Sequence, residues 1–292
     1  MIRIIPRLDI KGPNVIKGLS FEGYRVVGKP ETLAEYYYNQ GADELFFQDT
    51  VASLYERNNL LEIVSLSAGN VMIPITVSGG MRNLEDIKAT LNAGADKVAI
   101  NTAAIKDPNI IKEASRMFGS QCIVLSVEAK KVNDNLYEPW FDYGREPSGL
   151  NVEEWVKTAQ ELGVGEIYLS SVDKDGSGNG FDQNLIKKVS KICSVPLIAC
   201  SGAGSYEDFY NLASETTVDA LSAASVFHYD FLNKKKIKSD NKKSLRMGEQ
   251  QDTGNFEFIE EGYGGFNNIQ VQKCSIPNLK KFLIDKNIKV RL

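Results

Sequence analysis

Two carboxylates in this chain each close a short apolar run: Asp9 in Arg3–Lys11, RIIPRLDIK, and Glu128 in Cys122–Lys130, CIVLSVEAK. A facing pair of such groups can divide general acid and general base work between them. Either one alone is as readily a cap or an ion-pair partner, but matched placement in two similar runs favours chemistry. Small and glycine-rich segments accompany them. Ser78-Gly79-Gly80 is followed, after the next apolar run, by Asn101-Thr102; Ser201-Gly202-Ala203-Gly204 is followed by Ala224-Ser225; Asp175-Gly176-Ser177 lies between. Backbone N–H groups exposed in such loops bind phosphate. Gly80, Asn101, Thr102, Asp175, Gly176, Ser177, Gly202, Ala224 and Ser225 are therefore candidate contacts to a small molecule carrying two phosphates.

Other chemistry is poorly provided for. The single histidine, His228, reads as a packed or surface residue. No Ser/His or Cys/His nucleophile, zinc spacing or P-loop lysine is present, so carboxylates must carry any proton transfer and neither metal nor cofactor is called for. A net charge of −4 gives no bulk attraction to nucleic acid or an anionic membrane. No run approaches 18 apolar residues, no signal-peptide core opens the chain, and the four cysteines show no CxxC spacing. These features fit a cytoplasmic protein with reduced thiols.

The elements that must position the carboxylates are written twice. PITVSGG at Pro74–Gly80 and PLIACSG at Pro196–Gly202 match, as do GADEL from Gly41 and GVGEI from Gly163, at one constant offset. Short Val- and Ile-rich runs at Arg3–Leu8, Glu44–Gln48, Ile73–Val77, Lys97–Ile100, Cys122–Val127, Glu166–Leu169, Pro196–Cys200 and Asp219–Ala223 alternate with segments of helical period. Runs that are apolar throughout suit strands buried on both faces of a parallel sheet. Eight such units with a two-fold half-barrel repeat predict an α/β chain folded as one (β/α)8 barrel over residues 1–292, with an insertion at 230–272 after the eighth strand. Asp9 and Glu128 then stand across the C-terminal mouth. At the opposite end, Arg3, Glu44, Lys97 and Glu166 begin strands one, two, four and six, where they can gather into a ring of alternating charge.

IIPRLDIK, VIKG, GADEL, GADKVAINTAA, GEIYLSSVDKDGSGNGFD, IACSGAGS, AASVFH and VRL resemble the cyclase subunit of imidazole glycerol phosphate synthase, of the histidine pathway, along nearly the whole chain. The sister isomerase of that pathway resembles it less. The resemblance implies that ammonia from a partner glutaminase passes along the barrel to an open-chain bisphosphorylated ribotide, which is cyclised and cleaved. It implies catalytic roles for Asp9 and, in place of an aspartate, Glu128, and a substrate role for Lys17 on a mobile loop from Ile10 to Lys29. It makes Arg3, Glu44, Lys97 and Glu166 the ammonia gate, with Asp96 on the glutaminase-docking surface of a heterodimer. Arg7 in place of a neutral residue, Ser201 in place of a glycine, Glu128 and the insertion depart from the family pattern. They leave open an ammonia-channelling paralogue that supports sugar amidination in surface-polysaccharide synthesis.

Overall fold

The alternation of buried strands and amphipathic helices closes on itself. The structure, a computed structural model, describes residues 1–19, 22–51, 60–236 and 271–291. Its strands are β1 (Arg3–Lys11), β2 (Asn14–Leu19), β3 (Glu22–Gly28), β4 (Leu45–Asp49), β5 (Ile75–Ser78), β6 (Lys97–Ile100), β7 (Ile123–Lys131), β8 (Tyr137–Phe141), β9 (Glu146–Pro147), β10 (Glu166–Ser171), β11 (Leu197–Cys200) and β12 (Ala220–Ala223). The eight strands β1, β4, β5, β6, β7, β10, β11 and β12 pair in parallel in that order, and β12 returns to β1. This is a (β/α)8 barrel. Its helices are α1 (Pro30–Asn39), α2 (Leu60–Ala68), α3 (Leu84–Asn92), α4 (Thr102–Lys106), α5 (Asn109–Phe118), α6 (Val152–Leu162), α7 (Gln183–Ser190), α8 (Tyr206–Glu215), α9 (Ser225–Lys236) and α10 (Ile276–Asp285). Among the described residues no helix is long and apolar enough to cross a membrane.

Side-chain alternation splits each strand between two environments. Ile4, Leu8, Leu45 and Phe47 point outward into the core beneath the helices, whereas Ile5, Phe46, Ala99, Val124, Tyr168, Ile198, Cys200 and Ala220 form a separate cluster inside the lumen. The repeat extends to the helix caps. Asn83 accepts from the Asp86 N–H at the start of α3, and Ser205 forms a capping box with Asp208 at the start of α8. Asn151 caps α6 by accepting from the Glu153 N–H, and Asp107 accepts from the Asn109 N–H at the start of α5.

Two connections differ from the expected loops, and both follow the carboxylate-bearing strands. The stretch from Ile10 to Lys29 is largely a hairpin: β2 pairs antiparallel with β1, Asp9 opposite Ile16, and β3 pairs with β2. Val15, Ile16, Val26 and Val27 are all buried, so β-branched residues stabilise a ladder that the surrounding glycines conceal in the sequence. The equivalent excursion after β7 pairs β8 with it, Glu128 opposite Trp140. After β12, α9 continues through Asp230, where the insertion was expected to begin. Asp230 is buried and accepts from the Tyr36 hydroxyl at 2.9 Å. Residues 237–270 of the expected insertion lie outside the described residues.

At the N-terminal end, Asp43, Asp96 and Asp219 accept from the N–H groups of Ile4, Ile75 and Leu197 at 2.7, 2.9 and 2.9 Å, so each tethers a neighbouring strand. Asp43 also receives Lys280 of α10 at 2.8 Å in a buried ion pair. That contact ties the last helix to the first two barrel strands. Removing one partner of a buried pair leaves the other charge uncompensated. Lys280→Ala should therefore lower the unfolding free energy by about 3 kcal/mol, measured from urea midpoints, and Lys280→Met combined with Asp43→Asn should recover much of that loss.

Candidate active site

Inward-facing residues stack in layers along the lumen. At the N-terminal end, Arg3 donates to Glu44 and, at 2.7 Å, to Glu166; Lys97 donates to the same two carboxylates at 3.1 and 2.8 Å. The four expected ring residues thus form one closed cycle of alternating charge. A surface cavity of about 320 Å³ lies against it, lined by Met1, Gln121, Gly165 and Pro196 as well as Arg3 and Lys97. Asp96, expected on that face, spends its carboxylate on the Ile75 N–H. Above the ring comes an apolar layer in which Phe46 and Tyr168 stack at 3.7 Å, with the Tyr168 hydroxyl 2.8 Å from Ser222 Oγ.

The mouth lies above that layer. Asp9 and Glu128 are both buried, each at the point where its strand leaves the barrel and continues into a hairpin. Arg7, two residues before Asp9 and therefore on the same inward face, donates from Nε to Asp9 Oδ1 at 2.7 Å and from Nη1 to Ser170 Oγ at 3.3 Å. Lys17, carried in by β2, lies 3.6 Å from Asp9 Oδ2 and donates to both Asp175 oxygens at 3.0 and 3.2 Å. Glu128 is held differently: its Oε2 accepts from the Asn101 side-chain amide at 3.1 Å and from the Gly144 N–H at 2.8 Å. Asn101 is fixed in turn by donating to the Trp140 carbonyl at 3.1 Å.

Two openings flank these carboxylates. One, a cavity of about 590 Å³, is lined by Gly80, Asn101, Thr102, Glu128 and Tyr143 among others. The other is narrow and is bounded by Arg7, Lys17, Asp175, Gly176, Gly202, Ala224 and Ser225. The sequence candidates therefore divide between two sides of one mouth, except Ser177, whose hydroxyl closes its own turn on the Lys174 carbonyl at 2.8 Å. Gly202 has φ of +99°, and a Cβ there would fall 2.2 Å from the Gly180 carbonyl oxygen, so the loop after β11 can lie on the loop after β10 only with glycine at this position. Its neighbour Ser201 takes φ of +80° without being glycine.

Sequence reasoning assigned no role to Arg7, Gly144 or Tyr143. Asp142, Tyr143 and Gly144 have φ of +51°, +60° and +68°, a left-handed run that turns the Gly144 N–H onto Glu128. An Asp-Tyr-Gly sequence between two strand patterns is the signal that could have located this turn.

The two carboxylates are driven in opposite directions. Burial disfavours charge on Asp9, but Arg7 and then Lys17 outweigh it and hold the group below the usual carboxylate value. Burial pushes Glu128 up to about 7; Arg7 and the Gly144 N–H oppose this, while Asp9 and Asp175 add to it. His228 is buried beside Tyr37, its Nδ1 2.6 Å from the hydroxyl, and burial lowers its pKa to about 3, so it is neutral at physiological pH.

A carboxyl group raised in the fold binds a proton that the unfolded chain has already released. Stability then falls as pH rises between the ordinary value of 4.5 and about 7. Glu128→Gln removes this penalty. Its stability relative to the native chain should grow from near zero at acidic pH to on the order of 3 kcal/mol above neutrality. Urea midpoints of both proteins at acidic and alkaline pH measure it, and a pH-independent difference would contradict the protonation of Glu128.

The sequence model of the family described as "Histidine biosynthesis protein" matches residues 3–233. The Legionella pneumophila protein named imidazole glycerol phosphate synthase subunit HisF is 54% identical over 208 residues, covering 71% of this chain and 98% of that one. Proteins of the same name from Clostridium botulinum (strain Alaska E43 / Type E3) and Natranaerobius thermophilus are 48% and 43% identical over 237 residues, 81% of this chain and 94% of each relative. A barrel of this topology, matched over most of its length at such identity, belongs to the histidine biosynthesis protein family.

Proposed function

We infer that this chain is the cyclase of imidazole glycerol phosphate synthase. It uses ammonia to convert an open-chain bisphosphorylated ribulosyl formimino carboxamide ribotide to imidazole glycerol phosphate and an aminoimidazole carboxamide ribotide. The observation that carries this reading is the pair of buried carboxylates at one barrel mouth, one favoured as the anion and the other as the acid. Addition of ammonia to a carbonyl leaves a proton surplus on nitrogen and a deficit on oxygen. Asp9 steadies the positive nitrogen and accepts a proton from it while Glu128 gives its proton to the oxygen, which leaves a carbinolamine. The proton held by Asp9 then passes to the hydroxyl, which departs as water as the carbon–nitrogen double bond forms, and the proton shed by the resulting iminium restores Glu128. The openings on either side of the pair supply loop N–H groups and Lys17 for the two phosphates. The alternative of an ammonia conduit for sugar amidination is not favoured, since the relatives named above are subunits of the synthase.

The partner in this reading is a glutaminase seated on the N-terminal end, with the cycle of Arg3, Glu44, Lys97 and Glu166 as the point where ammonia enters. Four side chains that close by ion pairs can part by rotation about their own bonds, and their summed charge is zero. The chain, residues 1–292, acts as one barrel domain that contains the insertion at 230–272 after the eighth strand.

Asp9→Asn should reduce ammonium-dependent turnover of the ribotide at least 100-fold, and should also lower stability because it removes the carboxylate paired with the buried Arg7; a variant that folds and keeps more than about a tenth of the activity would remove Asp9 from the chemistry. Lys97→Ala should abolish glutamine-dependent turnover in the heterodimer while leaving turnover on added ammonium salt intact. Equal loss of both activities would make the ring a structural clasp.

A further inference from the structure

Arg7 is a buried cation of the mouth that the reading above leaves without a task, and it is placed to decide where the proton of that mouth resides. It lies on the inward face of β1, 2% exposed, and donates to Asp9 Oδ1 at 2.7 Å. Its direction is set from the far side by Ser170 Oγ at 3.3 Å, on the strand neighbouring β7 and at the residue in register with Glu128. Other groups also face these three. Lys17 approaches Asp9 from β2 and is tied to Asp175; neutral His228 lies behind Asp9; Tyr168, Cys200 and Tyr143 surround Arg7; Asp49 lines the opening shared with Glu128. Arg7 and Lys17 thus face Asp9 and Asp175, two cations against two anions.

Glu128 feels the charges of Arg7, Asp9 and Asp175 but makes no direct ion pair with them among the described residues. Its contacts among the described residues are two neutral N–H donors, both on Oε2, which leaves Oε1 as the oxygen to carry a proton. We propose that Arg7 is a positioning residue whose guanidinium ties Asp9 down as a standing anion, so that the mobile proton of the mouth rests on Glu128 Oε1. Without that cation, two buried carboxylates at one mouth would share a proton, and either could hold it when substrate arrives. With it, the acid and the base are assigned before binding. The proposal rests on the cyclase reading, but its first test does not.

Carbon-13 titration of side-chain carboxyl groups in the substrate-free wild type, with resonances assigned through Glu128→Gln and Asp9→Asn, should show Glu128 titrating near 7 and Asp9 ionised throughout the accessible range. An ionised Glu128 at pH 6, or an Asp9 that titrates together with it, would overturn the proposal whatever the enzyme turns over. Arg7→Met should then raise the Asp9 titration by about one unit or more, since an adjacent opposite charge shifts a carboxyl by that order, and should move both limbs of the pH profile of kcat/KM upward. Arg7→Lys should return the limbs toward their wild-type positions. A lower rate with unmoved limbs would mean that Arg7 only supports the fold. Should Arg7→Met fail to fold, Arg7→Gln gives the same comparison. Absence of ribotide turnover would count against the cyclase reading alone, and the titrations would still decide the role of Arg7.

Discussion

A closed eight-stranded sheet obliges every second strand residue to point into a narrow lumen, and the rest of the structure depends on how that lumen is filled. Along β1 the inward positions are Arg3, Ile5, Arg7 and Asp9: charge, hydrocarbon, then charge again. Other strands follow the same order, with Glu44 below Phe46 on the second barrel strand and Glu166 below Tyr168 on the sixth. The apolar layer separates two ionic layers that face different tasks. In the lower layer the two cations are partly exposed, the two carboxylates are buried, and all four compensate one another in a cycle. In the upper layer the ions are all buried, so an uncompensated charge would be costly and each group is driven toward the protonation state its neighbours permit.

The half-barrel repeat supplies the symmetry of the mouth, and the two halves depart from it in what surrounds each carboxylate. Both halves send a hairpin out after the carboxylate-bearing strand and both place a glycine-rich loop beside it. Yet Asp9 meets a guanidinium and an ammonium, whereas Glu128 meets an amide and a backbone N–H. The longer glutamate reaches one donor from its own hairpin, the Gly144 N–H, and one that follows β6, Asn101, and the left-handed turn at Asp142-Tyr143-Gly144 is the local strain that delivers the first. Two carboxyl groups at one mouth are thereby driven toward opposite protonation states.

Much of this was legible in the sequence because parallel strands buried on both faces leave an unbroken apolar signature. Strand order, the repeat, the facing of Asp9 and Glu128 and the lower ring all follow from that signature and from strand-start or strand-end position. The hairpins were not legible as such: Gly12, Gly18, Gly23 and Gly28 read as loop, and the tertiary burial of Val15, Ile16, Val26 and Val27 that stabilises the ladder has no local mark. The pairing of Arg7 with Asp9 was hidden for a related reason. An i, i+2 spacing puts two residues on one face of a strand, but only the closed barrel shows that this face is a dry lumen in which the pair must meet. Asp96 was legible as a residue of the lower end, but its bond to the Ile75 N–H was not, because a tether between neighbouring strands has no mark in the local sequence.

On the proposed reading, ammonia passes along one lumen from the charged lower ring to the carboxylates of the mouth, past the stacked Phe46 and Tyr168 rings that occupy its middle layer. Isotope competition tests it most directly. The assembled heterodimer is supplied with amide-15N glutamine in the presence of excess unlabelled ammonium at a pH where both support turnover, and the label in imidazole glycerol phosphate is measured by mass spectrometry. Transfer along the lumen predicts product labelled close to the enrichment of the glutamine amide. Product diluted to the isotopic composition of the bulk ammonium pool would contradict it, because nitrogen would then be reaching Asp9 and Glu128 from solvent.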